Sequence, residues 1–367
     1  MNADLWLRLA PAALGVLVGK ALFLVLVNRV LGHLSSRTSK LLLAGGGLGG
    51  LALGLGGLGY GLGHPVGTGL MLALLGLLLL GEAGLWWSAR RERGAPAVET
   101  HRLSEPPGRP WLLHPLTTTD LHLRRYELQL ALPAAAPRLR VAHLSDFHVS
   151  ERLPAAHYRR AIEAAAAAQP DLVFLTGDFV SHAEDIQRLP QLLHGLSGRL
   201  GMYAVLGNHD HWAGAQAIRD RLRDCGVEVL GNGQRRLAFD GLPALHLYGC
   251  EEPWGVDGRA RLEPVAPGEL GLVLSHTADY AGRYRGLGAA AVFSGHYHAG
   301  QVCLPFWGPV IIPSRYGRRF AHGHYCLGQT HLFVSAGVGT GEPPRIYCSP
   351  DLFIVDLLFQ PGAAVTR

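Results

Sequence analysis

Residues 140–148, RVAHLSDFH, join a short apolar run to an aspartate and a histidine two positions apart. Four comparable turns follow along the chain, LTGD at 175–178, GNHD at 207–210, SH at 275–276 and GHYH at 295–298. Each follows an apolar run of strand length. Because ligands bind outside the carboxyl ends of parallel strands, we expect the five turns to converge on one patch.

The order of apolar runs predicts an α/β fold. Strand-like runs at 140–144, 172–176 and 203–206 alternate with helical stretches at 155–169, 183–196 and 213–224. This alternation is typical of βαβ units around a largely parallel sheet. Later runs at 244–248, 270–275, 290–293, 332–335 and 352–358 have less helix between them. A second sheet packed on the first, in a four-layer α/β/β/α sandwich, is therefore expected.

The distribution of charge divides the chain near residue 90. Residues 1–90 hold six basic and two acidic side chains, which leaves 27 of the 33 basic and 26 of the 28 acidic side chains for the remainder. Most of the net charge of +5 thus lies in the apolar N-terminal part, so a pI near 9.1 does not indicate a nucleic-acid partner. We expect a membrane region at 1–90, a linker at 91–137 and a catalytic domain at 138–367.

Three apolar stretches, at about 9–27, 41–63 and 66–87, each approach the length of a transmembrane helix. The second is rich in glycines four apart, a pattern that suits close packing of helices within the chain or between copies in a homo-oligomer. The pairs are Gly45 and Gly49, Gly50 and Gly54, and Gly57 and Gly61.

Basic residues suggest how these stretches are oriented. Arg29, Arg37 and Lys40 follow the first stretch, and Arg90, Arg91 and Arg93 follow the third. The turn between the second and third stretches has no basic residue. By the positive-inside rule, we expect a multi-pass protein of the inner (plasma) membrane whose catalytic domain faces the cytoplasm.

The five cysteines are scattered and include no Cys-x-x-Cys pair. Their odd number and spacing argue against a disulfide framework and against a structural zinc knuckle. Free thiols are therefore expected.

The five turns together supply two carboxylates, one amide oxygen and four imidazoles. A lone Asp or His in a turn is usually a cap or a solvated group, but five such turns in register favour a shared site. The donor set suits two divalent ions such as Mn, Fe or Zn. The candidate ligands are Asp146, His148, Asp178, Asn208, His276, His296 and His298.

In this order, Asp-x-His, Gly-Asp, Gly-Asn-His-Asp, a lone His and Gly-His-x-His resemble the signature of the calcineurin-like metallophosphoesterases. The resemblance covers about 138–358 and is closest to the bacterial branch with N-terminal membrane helices. It implies that Asp178 bridges the two metals. It assigns Asp146, His148 and His298 to the first metal and Asn208, His276 and His296 to the second.

The resemblance also implies hydrolysis of a phosphate mono- or diester, by attack of a hydroxide held between the metals. His209 would stabilise or protonate the leaving oxygen, and Asp210 would orient His209. A lipid-linked pyrophosphate such as UDP-2,3-diacylglucosamine is an expected substrate. Arg345 and a loop with Arg315, Arg318 and Arg319 are candidate phosphate contacts.

Two other functions are compatible with parts of the sequence. A membrane scaffold or sensor could keep the metals without turnover, although His209 and Asp210 are both present. A small transporter would have Lys20 as a charge within its expected spans.

Overall fold

The computed structural model describes residues 3–29, 37–104, 110–132, 134, 136, 138–255, 262–341 and 344–359. The chain forms two compact units. The first comprises Met1–Arg91 with Ile311–Arg319, and the second comprises Glu92–Val310 with Phe320–Arg367.

The first unit contains three long helices, α1 (Ala3–Arg29), α2 (Arg37–Leu62) and α3 (Val66–Arg91). Two segments are long and apolar enough to cross a membrane, Asp4–Phe23 and Val66–Arg91. In α2 the apolar segment within the described residues is the shorter Gly50–Leu62. The helices thus coincide with the three apolar stretches of the sequence, and two of them meet the length that a membrane span requires.

Packing of α1 against α2 uses glycines other than those predicted. A Cβ atom at Gly15 would lie 2.2 Å from the backbone oxygen of Leu55, and one at Gly59 would lie 2.2 Å from the oxygen of Pro11. The predicted glycines of α2 lie on another face, because a Cβ added there would meet nothing within 4 Å; these are Gly50, Gly54, Gly57 and Gly61. The surroundings of Gly45 and Gly49 lie outside the described residues.

The second unit is built on two sheets. The first sheet has seven strands in the order β1-β2-β15-β3-β4-β5-β6. In chain order they are β1 (Glu99–Arg102), β2 (His122–Leu130), β3 (Arg138–Leu144), β4 (Leu172–Leu175), β5 (Gly201–Ala204), β6 (Val227–Val229) and β15 (Asp351–Phe359). Strands β3 to β6 are parallel, and β15 lies antiparallel to β3 and parallel to β2. Residues 91–137 therefore contribute two strands to this sheet.

The second sheet has six strands in the order β13-β14-β10-β9-β8-β7. They are β7 (Gln234–Leu237), β8 (Leu245–Cys250), β9 (Leu270–Ser275), β10 (Ala291–Ser294), β13 (Gly323–Leu327) and β14 (Thr330–Val334). Its centre, from β8 to β14, is parallel, and both edge strands are antiparallel. A separate hairpin joins β11 (Cys303–Leu304) to β12 (Gly308–Pro309).

The described part of the unit also contains four α-helices: α4 (Ala155–Ala167), α5 (Leu189–Leu193), α6 (Asn208–Asp224) and α7 (Ala281–Gly286). One apolar core lies between the first sheet and the helices α4 to α6, and another lies between the two sheets. The α/β/β/α sandwich is thus confirmed. The single helix predicted at 183–196 is wrong: a 3-10 helix at Ala183–Arg188 precedes the short α5, which has Pro190 in its first turn.

Candidate metal centre

The five predicted turns lie together at the carboxyl ends of β3, β4, β5, β9 and β10. The chain reverses sharply at these ends, and several of the ligand residues adopt left-handed backbone conformations. Their φ angles lie between 43° and 70°. This region is costly for residues other than glycine, so the surrounding structure must hold these turns in place. The residues concerned are Asp146, His148, Asp178, His296 and His298.

The first cluster contains Asp146, His148, Asp178 and His298, and its donor atoms lie within 4.8 Å of one another. Nε2 of His148 lies 3.1 Å from Nε2 of His298, which lies 3.4 Å from Oδ1 of Asp146. Ligands of one metal at about 2.0–2.2 Å are separated by about 3 Å. The first cluster therefore has the spacing of a metal site.

The second cluster contains Asp178, His276 and His296. Nε2 of His276 lies 3.2 Å from the amide oxygen of Asn208, which is the first residue of α6. The amide of Asn208 therefore lies beside this cluster. A Cβ at Gly207 would lie 2.2 Å from Oδ1 of Asp178, so only glycine fits before the amide ligand.

Asp178 belongs to both clusters through a single atom. Its Oδ2 lies 3.5 Å from Nε2 of His148 and 3.5 Å from Nε2 of His276. Its other oxygen, Oδ1, accepts a hydrogen bond from the backbone N–H of His209 at 2.9 Å. One carboxylate oxygen placed between two groups of imidazoles suits two cations that share a ligand.

Hydrogen bonds from the surrounding protein orient two of the imidazoles. Nδ1 of His276 lies 2.6 Å from the backbone oxygen of Thr176, and Nδ1 of His148 lies 2.9 Å from Oγ of Ser181. A proton on Nδ1 of an imidazole leaves its Nε2 as the ligand atom. The carbonyl of Thr176 can only accept a hydrogen bond, so His276 donates from Nδ1 and directs Nε2 at the cluster. The contact with the Ser181 hydroxyl holds the ring of His148 in place.

Burial controls the charge of the ligands. It lowers the pKa of His148 to about 3, so this imidazole is neutral and ready to bind a cation. Burial also raises the pKa of the Asp146 carboxyl to about 7. Burial opposes ionisation of Asp178 as well, but the adjacent His276 and His209 hold its pKa well below its usual range.

Residues 139–300, which contain all seven candidate ligands, match the family model described as calcineurin-like phosphoesterase. These residues form a calcineurin-like phosphoesterase domain. Such domains depend on two metal ions, and the described clusters provide ligands for both. The chain is a hydrolase that acts on phosphate esters.

Three relatives show the range of this similarity. Phosphodiesterase YaeI of Escherichia coli is 27% identical over 64% of this chain and 88% of its own length. UDP-2,3-diacylglucosamine pyrophosphatase LpxG of Chlamydia muridarum is 22% identical over 61% of this chain and 84% of its own. A transmembrane protein with metallophosphoesterase domain from Danio rerio is 27% identical over 59% of this chain and 52% of its own length. Together with the two apolar helices, the last similarity indicates membrane association.

His209 lies at the accessible side of the metallophosphoesterase centre. It is half-buried, whereas its neighbours Asn208 and Asp210 are buried, and its ring centroid lies 4.7 Å from that of His148. The Asp210 carboxylate accepts hydrogen bonds from the backbone N–H groups of three residues: Phe179, Val180 and Gly207. Asp210 therefore ties the Asp178 turn to the start of α6.

Arg345 is not placed to contact phosphate, contrary to the sequence interpretation. It is 0% exposed, and its guanidinium donates to the backbone oxygens of Ala336, Gly337 and Gly339. Only the structure shows that this arginine faces the interior. The other basic candidates, Arg315, Arg318 and Arg319, belong to the first unit, where Arg318 lies 3.6 Å from Glu82.

Trp254 is a site residue that sequence reasoning missed. Its ring centroid lies 4.9 Å from that of His296 and 5.5 Å from that of His276. It is only 6% exposed, and its Nε1 has no hydrogen-bond partner among the described residues. Trp254 follows Glu252-Pro253, and nothing in the sequence around it indicates a role in the metal centre.

Proposed function

We propose that this chain hydrolyses a phosphodiester or diphosphate bond in a lipid-linked substrate, of the kind represented by UDP-2,3-diacylglucosamine. The observation that carries the two-metal chemistry is the shared Oδ2 of Asp178, 3.5 Å from an imidazole of each cluster. Two cations bound there would polarise the phosphoryl group and activate a water for attack on phosphorus. Mn, Fe and Zn all fit the oxygen and nitrogen donors.

Specific roles of the protein's own residues follow from this arrangement. The carboxylates of Asp146 and Asp178 would bind the cations and neutralise part of their charge, and Asn208 would add a neutral oxygen ligand. His209 is half-buried beside His148, and in this proposal its imidazole donates a proton or hydrogen bond to the leaving oxygen. Asp210 keeps the His209 turn in place through its three backbone hydrogen bonds.

A cavity directly after His148 supports a substrate with acyl chains. It has a volume of about 460 Å³ and begins at Val149. Its lining comes from the loop after β3 and from α4 and α5. The apolar Leu153, Tyr158, Ile162 and Leu192 lie there beside the charged Glu151, Arg159, Glu163 and Arg188. In this proposal the cavity receives apolar substrate while the phosphate lies at the metals. The similarity to LpxG, a UDP-2,3-diacylglucosamine pyrophosphatase, agrees with this proposal.

The β11–β12 hairpin supports the same substrate class. Phe306 is 93% exposed and Trp307 is 60% exposed at its tip. Large exposed aromatic side chains are typical of surfaces that meet apolar ligands or membranes. The hairpin begins five residues after the ligand His298, so it is well placed in the chain to guide a lipid toward the centre.

We further propose that the enzyme is a multi-pass protein of the plasma membrane with its catalytic domain in the cytoplasm. The basic residues near residues 29–40 and 90–93 support this orientation. The open glycine face of α2, which includes Gly50 and Gly54, provides a surface for a second copy. Reporter fusions at residues 64 and 367 test the orientation: the proposal requires opposite sides.

The function is tested with the full-length chain in detergent, loaded separately with Mn²⁺ and Zn²⁺. Substrates are an aryl phosphomonoester, an aryl phosphodiester and UDP-2,3-diacylglucosamine. We expect Asp178→Asn to lose bound metal and activity, and His209→Ala to keep metal but lose activity by about a hundredfold. His101→Ala, at an exposed site of β1, is the control. Metal binding without turnover of any substrate would instead favour a scaffold or sensor.

A further inference from the structure

A third cluster of metal-ligating side chains lies at the edge of the second sheet, on β13 and β14. It contains His324, Cys326 and His331, whose donor atoms lie within 4.8 Å of one another. His324 and Cys326 are two residues apart on β13 and so share one face of the sheet. Cys326 is paired with His331 across the two strands, so all three side chains are on that face.

The distances within this cluster resemble those between ligands of one zinc ion. Nε2 of His324 lies 2.9 Å from Nδ1 of His331, and Sγ of Cys326 lies 3.9 Å from the same Nδ1. Tetrahedral zinc with bonds of about 2.0 Å to nitrogen and 2.3 Å to sulfur requires separations of about 3.3 and 3.6 Å. The required side-chain movements are therefore a few tenths of an ångström.

The protein backbone prepares His324 as a ligand. Nδ1 of His324 lies 3.2 Å from the backbone oxygen of Ala95, so a proton on Nδ1 leaves Nε2 directed at the cluster. The approach of this segment requires Gly94, because a Cβ there would lie 2.3 Å from Nδ1 of His324. Backbone hydrogen bonds from Cys326 to Glu92 and from Gly94 to His324 fix residues 92–95 along β13.

Binding of a metal by these three groups would release one proton. Each imidazole binds a cation through a neutral nitrogen, and the Cys326 thiol must lose its proton to solvent to become a thiolate ligand.

We propose that His324, Cys326 and His331 form a second, mononuclear metal site that binds Zn²⁺ with water as a fourth ligand. The site differs from the phosphoesterase centre because it contains a thiolate, whereas the seven ligands of that centre offer only oxygen and nitrogen. Bound zinc would fasten β13 to β14 beside residues 92–95, the first residues of the catalytic unit.

A metal-free cluster would have a different explanation. With its proton on Nδ1, His324 can accept a hydrogen bond at Nε2 from Nδ1–H of His331, and the 2.9 Å separation allows this bond. Cys326 would then bind no metal and would remain a free thiol. The two explanations differ in whether sulfur contacts a metal, which can be measured without any enzymatic assay.

The experiment is a titration of the metal-free, full-length chain with Co²⁺, followed by its near-ultraviolet absorption. We expect a thiolate-to-cobalt charge-transfer band in the wild type and in Cys225→Ser, and no such band in Cys326→Ser or His331→Gln. Elemental analysis after zinc loading should give three ions per wild-type chain and two per chain of either site variant. Each site variant should retain phosphodiesterase activity, which shows that it is folded.

Two results would overturn the proposal. A wild-type chain that binds only two zinc ions and shows no charge-transfer band has no third site. A band that persists in Cys326→Ser would place the thiolate elsewhere. The wild-type measurements alone decide the first case, so the test does not depend on how well the variants fold. Failure of the third site would leave the two-metal function untouched, because its ligands are separate.

Discussion

Nη2 of Arg345 lies 3.2 Å from Nδ1 of His298, and Nη1 donates to the backbone oxygen of the same histidine. Arg345 therefore contacts both the ring and the backbone of a ligand in the first cluster. Burial lowers the pKa of His298 well below its usual range, and the positive charge of Arg345 adds to this effect. Arg345 thus keeps His298 neutral and in position, although it does not contact the reacting phosphate.

We expect Arg345→Lys to lower metal affinity and activity by about 10- to 100-fold, because lysine keeps the charge but not the several hydrogen bonds. Metal content, measured by elemental analysis after dialysis, should fall together with kcat. Excess metal should partly restore activity. A higher KM with full metal content would instead indicate that Arg345 binds phosphate.

Metal retention should depend on pH because burial raises the pKa of Asp146 to about 7 in the metal-free centre. Below that pH the carboxyl binds a proton, which a cation must displace. Affinity for Mn²⁺ should therefore weaken by up to about tenfold per pH unit as the pH falls from about 7 to 5. Isothermal titration across this range measures the slope, and an affinity independent of pH would contradict the prediction.

Blocking the cavity after His148 should separate lipid-linked from soluble substrates. Leu192→Trp adds bulk to the apolar lining formed with Tyr158 and Ile162. We expect kcat/KM for UDP-2,3-diacylglucosamine to fall at least about tenfold, while hydrolysis of an aryl phosphodiester changes less than about twofold. Glu184→Trp, at an exposed position outside this lining, is the control. Equal losses on both substrates would exclude this cavity as the acyl site.

Asp351 should stabilise the fold in a pH-dependent way. Its buried carboxylate accepts hydrogen bonds from Arg124 at 2.9 Å, His322 at 2.6 Å and the backbone N–H of Ala336 at 2.8 Å. Burial opposes ionisation, but His322 and Arg124 hold the pKa well below its usual range. Asp351→Asn should cost about 3 kcal/mol at pH 7, since it leaves the partly buried guanidinium of Arg124 without its carboxylate partner.

A carboxyl with a depressed pKa contributes its stability above the unfolded-state pKa, which is about 4, and loses it as pH falls further. The difference in Tm between wild type and Asp351→Asn should thus be full at pH 7 and shrink below about pH 4. Asp224→Asn, at an exposed position, should give almost no difference at either pH. A difference between wild type and Asp351→Asn that grows on acidification would contradict this account.

The centre was predictable where its chemistry is local in sequence. Asp146 and Asp178 lie two and three residues beyond the ends of β3 and β4, and Asn208 begins α6. Strand alternation alone places these residues at one edge. Arg345 was misinterpreted because its spacing does not reveal which way a loop side chain points. Nor could spacing show that Trp254 packs against two ligands contributed by other strands.

The cluster at His324 was missed for a related reason. Zinc sites in short motifs are recognised by paired cysteines, whereas this cluster depends on which residues face each other across β13 and β14. Cys326 and His331 become neighbours through strand register, and Ala95 approaches from more than 200 residues away. A His-x-Cys pair followed five residues later by His was the available signal.

The position of β15 has a consequence for biosynthesis. This strand, residues 351–359, lies between β2 and β3 and completes the interior of the first sheet. About two hundred residues must therefore be translated after β3 before its antiparallel neighbour, β15, leaves the ribosome. The nascent chain should remain sensitive to protease until then, and a transcript truncated before residue 351 should yield a polypeptide that chaperones and proteases remove.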